Sequence, residues 1–257
     1  MKIGIVGLGL IGGSIYKSLK SKNYDVVGIS DSQNGLYPDI TNDYNILKEC
    51  NIVFVASPMN KVLEILDKIE DIVSEKTIVA DVSSLKSFVC KKQYKYNFIP
   101  THPMTGTEKT GFENSFKELF EGAKWVICKE ECPESLQKII TDMNAEIIYA
   151  TAEEHDEAVA LISHMPMVVS QAIFNASRDN VLAMRLASSG FRDMTRLAIT
   201  NSVMAEDMIN FNHENIQDAV LKMYSSIGEL LKTDYKEKVE EISKARSAMY
   251  KNGKNIL

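Results

Sequence analysis

The sequence predicts an α/β protein in which a doubly wound parallel sheet over residues 1–150 is followed by an all-helical part over residues 151–257. Short apolar segments alternate with helical segments up to about residue 150, which is the order that a doubly wound sheet requires. From Ala152 onward the apolar residues follow a helical period and strand signals are sparse. A glycine pattern stands between the first strand and the first helix. These three observations predict a cofactor domain, a helical domain and a site between them.

The predicted strands are short and almost continuously apolar, which is typical of strands buried on both faces of a parallel sheet. They span residues 2–6, 24–30, 52–56, 77–81, 98–100, 124–128 and 146–149. The helices predicted in the first domain span residues 11–20, 44–49, 59–73, 84–92 and 133–143. Those predicted in the second domain span residues 152–178, 180–188, 190–200, 202–211 and 213–250.

Composition and charge restrict the function classes. The net charge of −6 gives no general basic surface, so we expect no nucleic-acid binding. The four cysteines are irregularly spaced and lack a histidine that could complete a zinc site, so we expect free thiols and no metal. No apolar run approaches the roughly 20 residues of a membrane span, and the chain starts directly with a strand. We therefore expect a cytoplasmic protein without a signal peptide or membrane contact.

Gly7, Gly9 and Gly12 form a G-x-G-x-x-G pattern directly after the first strand. Gly7 allows a tight turn, Gly9 lets a pyrophosphate approach the backbone, and Gly12 lets the helix pack on the strand. The free amide groups at the start of the helix, at Leu10 and Ile11, would face the diphosphate. The pattern predicts a Rossmann-like dinucleotide-binding domain; the alternative is a purely structural turn.

Ser30 and Asp31 follow the second strand, where an acidic residue usually binds the adenosine ribose. Asp31 stands about one position late, but its charge would repel a 2′-phosphate, and Ser30 has no arginine beside it. The sequence favours NAD over NADP without excluding NADP. In the alternative interpretation Asp31 is only a turn residue.

His102 lies in a loop between Thr101 and Pro103, after a predicted strand. An imidazole with an ordinary pKa near 6.5 can take a proton from a hydroxyl at neutral pH. Beside a nicotinamide, this proton transfer allows hydride removal from the same carbon. The chain is therefore predicted to be a dehydrogenase with His102 as its base, and activity should decline as the pH falls through the ordinary histidine range.

Four further segments carry a family resemblance. Residues 81–86 read Asp-Val-Ser-Ser-Leu-Lys, residues 101–109 contain His-Pro-Met-Thr-Gly-Thr-Glu, residues 162–167 contain Ser-His-Met-Pro-Met, and residues 189–198 contain Gly-Phe-Arg-Asp-Met-Thr-Arg. Together with the glycine pattern, they resemble the prephenate/arogenate dehydrogenase family of tyrosine biosynthesis over nearly the whole chain. The resemblance implies oxidative decarboxylation of prephenate to 4-hydroxyphenylpyruvate with NAD; the alternative is conversion of arogenate to tyrosine with NAD or NADP.

The resemblance also implies roles for single residues. His102 would abstract the proton of the substrate's ring hydroxyl, and Ser84 would hydrogen-bond this histidine or that hydroxyl. Arg196 would bind a substrate carboxylate, which its planar guanidinium can do with two parallel bonds. Thr107 and Glu108 would lie near the substrate side chain.

Two other positions complete the implied site. Ser57 and Pro58 would form the turn beside the nicotinamide ribose. His164 is assigned either to substrate contact or to a core position. The family often reads His-Leu-Pro-His where residues 164–167 read His-Met-Pro-Met, so Met167 replaces a second histidine. A thioether is a weak hydrogen-bond acceptor. How the protein recognises the substrate side chain, and whether tyrosine inhibits it, therefore stay open.

Several charged residues have a structural interpretation instead. Ser84 could be a helix N-cap as well as a catalytic residue, because a helix is predicted to begin there. Lys86 is interpreted as a solvated lysine in the first turn of that helix. Asp156 and its acidic neighbours are interpreted as charges that offset a helix dipole. His155 receives no functional role.

The helical part has more apolar faces than one layer can bury, which favours a partner subunit. The resemblance likewise implies a homodimer through this domain. The chain also ends without room for an appended regulatory domain, so we expect any feedback to act within the two domains. The competing functions are a related two-domain dehydrogenase acting on 3-hydroxy acids or imines, and a nucleotide-binding regulator without catalysis.

Overall fold

A central parallel sheet organises the first half of the computed structural model, which describes residues 1–107, 109–232, 234–251 and 254–255. Its eight strands are β1 Lys2–Val6, β2 Asp25–Ile29, β3 Ile40–Thr41, β4 Ile52–Val55, β5 Ile78–Asp81, β6 Asn97–Pro103, β7 Lys124–Ile127 and β8 Glu146–Tyr149. They lie in the order β3-β2-β1-β4-β5-β6-β7-β8. β6 and β7 run antiparallel, and the other neighbouring pairs run parallel. The first six strands have the order of the predicted Rossmann-like sheet, which is confirmed.

The helices of this half connect the strands. They are α1 Leu10–Ser21, α2 Met59–Glu70 and α3 Glu134–Asp142, with short 3₁₀ helices at Tyr44–Glu49, Val89–Lys91 and Phe112–Asn114. The predicted helix over 84–92 is wrong, because only Val89–Lys91 is helical and Ser84 caps nothing. Residues 83–87 instead form a loop in which the Ser83 hydroxyl contacts the Asp81 carboxylate and the Leu85 carbonyl.

The second half is helical, as predicted. Its helices are α4 Ala152–Val159, α5 Met165–Ser177, α6 Val181–Leu186, α7 Ser189–Met194, α8 Ser202–Phe211, α9 His213–Leu230 and α10 Tyr235–Met249. A 3₁₀ helix spans Arg196–Ile199, and a short hairpin pairs β9 Tyr250–Lys251 with β10 Lys254–Asn255. The single helix predicted over 213–250 is broken before Asp234, whose carboxylate accepts hydrogen bonds from the Lys236 and Glu237 amides and starts α10.

α4 and α5 are joined by a π-helical turn over Ala160–His164. Pro166 stands at the start of α5 and has no amide hydrogen to donate to the carbonyl one turn back. A π turn shifts the hydrogen-bond register around such a gap, and these turns are frequent at functional sites. The turn places His164 in the interior of the protein.

Alternating residues of the strands divide the core between the two faces of the sheet. Ile3, Ile5 and Phe54 belong to the cluster on the face of α1 and α3. On the opposite face, strand residues of β1, β2 and β4 pack with α2 and with Val159, Met167 and Met208 of the helical half. This shared cluster fixes the helical half against the sheet.

The continuous helical segment Ala152–Ser177 is long and apolar enough to cross a membrane by length and composition alone. The expectation that no apolar run approaches this length is therefore wrong. A core or interface helix of a globular protein passes the same test, so the finding is weak evidence for a membrane span. In this structure the segment packs on the sheet through Val159 and Met167.

Lys86 is fully buried, contrary to the prediction of a solvated lysine. Its ammonium pairs with the equally buried carboxylate of Asp81, at the end of β5. It also donates to the Thr101 carbonyl at 2.7 Å and to the Ser83 hydroxyl at 3.2 Å. An ammonium group has three protons, so these three partners satisfy it. The pair ties the ends of β5 and β6 together, directly beside His102.

Replacing Lys86 by methionine should lower the free energy of unfolding by about 3–5 kcal/mol, because the change leaves the buried Asp81 carboxylate without a counter-charge. Urea unfolding followed by circular dichroism measures this loss. Lys61→Met is the matched control, since the ion pair of Lys61 with Glu64 is exposed and should contribute almost nothing. Equal stability of the two variants would show that the buried pair does not hold the strand ends.

Candidate active site

The glycine turn after β1 has the conformation that its sequence predicts. Gly7 has a φ of +89°, and a Cβ at this residue would lie 2.6 Å from the Ala56 carbonyl oxygen. A Cβ on Gly12 would lie 1.9 Å from the carbonyl oxygen of Gly7. Neither position accepts a side chain without movement of the backbone. A Cβ on Gly9 would meet nothing within 4 Å, so the space above Gly9 is open.

The start of α1 faces this open space. Gly9 is the N-cap, Leu10 is the first helical residue, and no side chain caps the helix. The first amide groups of α1, including those of Leu10 and Ile11, therefore lack the side-chain acceptor that commonly caps the start of a helix. Such an N-terminus attracts a phosphate group through its free amides and its dipole.

The turn after β4 lies against the same glycines. The Ser57 amide nitrogen would be 3.1 Å from a Cβ on Gly7, so the two turns are in contact. The Ser57 hydroxyl is buried and has no hydrogen-bond partner among the described residues. A buried hydroxyl without a partner costs free energy, which a bound polar group would recover. Pro58 follows as the N-cap of α2.

Ser30 and Asp31 lie just beyond β2, at the edge of the same cleft. The Ser30 hydroxyl is 3.3 Å from that of Ser32 and accepts a hydrogen bond from the Gln33 amide. Asp31 is exposed, and its carboxylate makes no hydrogen bond within the described part of the chain. Ser30 thus stabilises the turn, and the Asp31 carboxylate is free to accept hydrogen bonds from a ribose.

His102 is the penultimate residue of β6, so the prediction that it lies in a loop is wrong. Its imidazole belongs to a chain of hydrogen bonds. Its Nδ1 lies 2.9 Å from Nε2 of His155, on α4. Nδ1 of His155 lies 2.8 Å from a carboxylate oxygen of Asp156. Burial lowers the pKa of His102 well below 6.5, and the nearby His155, Lys86 and His164 act in the same direction. The imidazole is therefore neutral at neutral pH, as a proton acceptor must be.

Asp156 accepts hydrogen bonds from both halves of the protein. Its carboxylate accepts the Lys86 amide at 2.9 Å and the Ser87 amide at 2.8 Å, in addition to the His155 imidazole. Burial by itself raises the pKa of Asp156, but these hydrogen bonds outweigh it and hold the pKa below its ordinary value. Asp156 is therefore ionised, and its interpretation as a charge that offsets the helix dipole is wrong, because its carboxylate binds the loop after β5. Glu154 does have the expected helix-end role, in a capping box with Thr151.

The sequence does not predict a role for His155 or Asp156 in the site. The only signal that could have found them is an adjacent His-Asp pair one turn after a capped helix start. From sequence alone, such a pair is predicted to lie on the exposed surface of a helix, because a single sequence does not show what a helix packs against. Both residues are buried here because α4 lies on the loop after β5.

Ser84 does not contact His102 in this structure. Its hydroxyl lies 3.3 Å from the sulfur of Met59, at the start of α2. It is partly exposed, and its place in the loop after β5 is beside the turn that contains Ser57. The hydroxyl has a weak acceptor there and can exchange it for a better one.

His164 is a buried core histidine. Its Nδ1 lies 3.3 Å from the side-chain amide nitrogen of Asn212, which also donates to the Asp156 carbonyl at 2.9 Å. Because an amide NH₂ only donates, Nδ1 of His164 accepts and Nε2 carries the proton. Burial lowers the pKa of His164 to about 4, so the imidazole is neutral at pH 7.

The remaining predicted substrate residues are not gathered around His102. Arg196 begins the 3₁₀ helix that packs on α5; its side chain is exposed and has no ion pair among the described residues. Thr107 is exposed, and its hydroxyl accepts the Lys109 amide at 3.2 Å. Glu108 lies outside the described residues. Within the described residues there is no cluster of three or more histidine, cysteine, aspartate or glutamate side chains that could hold a metal.

Two family profiles match the chain in sequence order. The profile described as "Prephenate dehydrogenase, nucleotide-binding domain" matches residues 25–149. The profile described as "Prephenate dehydrogenase, dimerization domain" matches residues 151–245.

Curated relatives and solved structures agree with the profiles. The prephenate dehydrogenase of Bacillus subtilis is 30% identical over 241 residues, which is 83% of this chain and 65% of that protein. The prephenate dehydrogenase of Lactococcus lactis is 29% identical, again over 83% of this chain and 65% of the relative. The chain thus spans about two thirds of the length of these relatives.

Among solved structures, arogenate dehydrogenase from Synechocystis superposes with a TM-score of 0.83 at 29% identity, covering 97% of both chains. Prephenate dehydrogenase from A. aeolicus, in complex with hydroxyphenyl propionate and NAD⁺, superposes with a TM-score of 0.80 at 25% identity, covering 96% of this chain and 95% of that chain. With both family domains matched in order and this fold around a histidine at the cleft, the chain belongs to the prephenate/arogenate dehydrogenase family.

Proposed function

We propose that this protein is an NAD-dependent dehydrogenase that converts prephenate to 4-hydroxyphenylpyruvate and carbon dioxide in tyrosine biosynthesis. The observation that carries the proposal is a neutral, partly buried imidazole at His102 in a protein of this family. It lies on β6, which only β5 separates from β4, and the turn after β4 contacts the glycine turn. Arogenate is the second candidate substrate, favoured by the similarity to the Synechocystis arogenate dehydrogenase. The residues 1–150 would form the cofactor domain and 151–257 the substrate and dimerisation domain.

The first domain fits a dinucleotide. The open space above Gly9, the uncapped start of α1 and the unpartnered Ser57 hydroxyl supply room, amide donors and a hydroxyl for the diphosphate and a ribose. The exposed Asp31 carboxylate would accept the hydroxyls of the adenosine ribose and repel a 2′-phosphate. NAD, when bound, would accept the hydride from the hydroxyl carbon of the substrate.

The protein residues would then accept one proton from the substrate and bind its charged groups. His102 takes the proton of the ring hydroxyl as the hydride leaves the same carbon. The bond to the opposite carboxylate breaks, carbon dioxide departs, and its electron pair aromatises the ring. The ring oxygen takes a proton back and becomes the phenol, so that protons balance. Aromatisation supplies the driving force.

The substrate-binding roles remain those that the resemblance implies. Arg196 would bind a carboxylate, Ser84 would exchange its contact with Met59 for the substrate hydroxyl or His102, and Thr107 and Glu108 would lie near the substrate side chain. The buried position of His164 beside Asn212 favours support of the site over direct substrate contact.

The proposal includes a homodimer formed by the helical half. Large apolar side chains of this half are more than half exposed in the single chain: Ile162, Val181, Leu182, Leu186, Met194, Ile199, Val203, Leu221, Tyr224, Leu231 and Tyr235. Such a surface is larger than monomers usually leave in water, and the matching profile is that of a dimerization domain. We place the protein in the cytoplasm, where its four free cysteines would stay reduced.

Gel filtration with light scattering should give the mass of two chains. Charged substitutions at Leu182 and Leu186, which are strongly exposed, should shift the protein towards the single-chain mass. A wild-type protein that is monomeric at micromolar concentration would contradict the dimer.

Nicotinamide reduction measured by absorbance, with prephenate or arogenate and with NAD or NADP, tests the function directly. We expect the highest kcat/KM for prephenate with NAD. A higher value with arogenate would move the substrate assignment to the second candidate. Absence of turnover with both substrates, in a protein that binds NAD, would leave a nucleotide-binding regulator.

Replacing His102 by asparagine should lower kcat by about 10²–10⁴-fold, the usual contribution of a positioned general base, with KM changed little. His213→Asn is the matched control, because His213 is exposed at the start of α9. A change in KM alone would show that His102 only binds substrate.

The pH dependence should report the environment of His102. The base acts only when neutral, and its lowered pKa keeps it neutral at pH 6.5. In place of a decline in the ordinary histidine range, we therefore expect the profile of kcat/KM to stay level down to pH 6.5 and to fall at lower pH. A midpoint at or above 6.5 would show that the free enzyme exposes this imidazole to water.

Two alanine substitutions should separate cofactor binding from packing. Gly9→Ala should leave thermal stability unchanged, since its Cβ meets nothing within 4 Å, and should weaken NAD binding by at least about tenfold, or 1.4 kcal/mol. Gly12→Ala should destabilise the apo protein by roughly 1–3 kcal/mol, because its Cβ collides with the Gly7 backbone. Calorimetric titration with NAD and thermal unfolding measure the two effects. Equal NAD affinity of Gly9→Ala and wild type would remove the diphosphate from this turn.

A further inference from the structure

His155 and Asp156, two buried residues outside the predicted site, form a single hydrogen-bonded chain with the partly buried His102, in the order Asp156–His155–His102. The two links measure 2.8 Å and 2.9 Å between heavy atoms. His155 and Asp156 are almost completely buried, at 3% and 1% exposure. Water therefore does not compete for these bonds. Which nitrogen donates in each bond depends only on the protonation states of the three side chains.

The ionisation state of Asp156 determines which group donates in its hydrogen bond with His155. Its carboxylate accepts two backbone amides, and its lowered pKa keeps it ionised. An ionised carboxylate can only accept hydrogen bonds. The His155 nitrogen that faces it, Nδ1, must therefore carry a proton.

His155 passes this constraint to His102. When His155 is neutral, its single proton is the one on Nδ1, so its Nε2 is an acceptor. The nitrogen of His102 that faces it, Nδ1, then has to be the donor. The second nitrogen of His102, Nε2, is left without a proton and takes part in no hydrogen bond among the described residues.

We infer that His155 and Asp156 are positioning residues that hold His102 in the tautomer whose Nε2 is unprotonated and ready to take the substrate's proton. The inference deepens the proposed function and rests on it for the identity of the proton donor. The opposite tautomer would present an N–H group to the substrate hydroxyl and could not act as a base.

The same carboxylate makes this control depend on how the two halves of the protein are joined. Asp156 belongs to α4 of the helical half, whereas the Lys86 and Ser87 amides belong to the loop after β5. The His102 imidazole is therefore oriented only when α4 is seated on the sheet. The other titratable groups near His102 are Lys86, which is paired with Asp81, and His164, which is neutral.

Nitrogen-15 NMR of histidine-labelled wild-type protein, with and without NAD, tests the tautomer directly. The chain has four histidines, and single variants assign each signal. We expect a neutral His102 with its proton on Nδ1. A neutral His102 protonated on Nε2 would overturn the inference, as would a charged imidazole at pH 7. This readout needs no turnover, so failure of the proposed function leaves it intact.

Two substitutions of His155 supply the kinetic test. Glutamine places an amide oxygen near the position of Nε2 and keeps an acceptor for His102, whereas leucine removes it. For His155→Leu we expect kcat to fall about 10–100-fold, part of the 10²–10⁴ of a positioned base, with KM within about threefold of wild type. For His155→Gln we expect recovery of most of this loss. Equal kcat values for both variants, whether high or low, would contradict a positioning role.

Asp156→Leu tests the origin of the chain. The substitution removes the acceptor of the His155 Nδ1 proton, so His155 can carry its proton on Nε2 and donate it to Nδ1 of His102. The His102 proton should then move from Nδ1 towards Nε2 in the NMR spectrum, with a fall in kcat. Glu157→Gln is the control, because Glu157 is an exposed acid on the same helix. If the leucine variant unfolds, the wild-type spectrum and the His155 pair still decide the question. An unchanged His102 signal in a folded Asp156→Leu protein would refute the relay.

Discussion

The carboxylate of Asp156 is the interaction on which the rest of the site depends. It binds two consecutive backbone amides of the loop after β5 and one imidazole of its own helix. A backbone amide cannot change its partner without moving the chain, so this contact fixes the distance between the helical half and the sheet. His102, the proposed base, lies on the sheet and His155 lies on the helix, and the carboxylate connects the two elements.

Burial has two opposite consequences at this centre. For His102 and His164 it disfavours the charged form, so both imidazoles stay neutral beside the ammonium of Lys86. For Asp156 burial is also unfavourable to charge, but three hydrogen bonds compensate and the carboxylate stays ionised. A low dielectric strengthens each of these interactions and raises the cost of an unsatisfied group. The site thus combines one fixed anion with neutral bases, which suits removal of a proton from an alcohol.

The sheet and its glycine turn could be predicted because each depends on neighbouring residues in the chain. Apolar runs such as Ile52–Val55 are read from their own composition, and Gly7 and Gly12 are needed by contacts within the same β1–α1 unit. Helix ends were harder: Pro166 turns a predicted continuous helix into a π turn, and the loop of residues 83–87 folds around a buried ion pair instead of forming a helix. In both cases a local preference is overridden by the need to satisfy buried polar groups.

The two-part architecture, the dinucleotide-binding turn and His102 as the candidate base could be predicted from the amino-acid sequence, because short-range patterns and residue chemistry are sufficient for each. Three features become visible only in the tertiary structure. Lys86 is buried, Ser84 contacts Met59, and His155 connects Asp156 to His102 through hydrogen bonds. Those facts depend on contacts between different elements of the fold, such as Ser84 with Met59, 25 positions apart, and His102 with His155, 53 positions apart. No local pattern shows which loop a helix will pack against. In the proposed relay, the packing of α4 on the loop after β5 sets which nitrogen of His102 carries the proton.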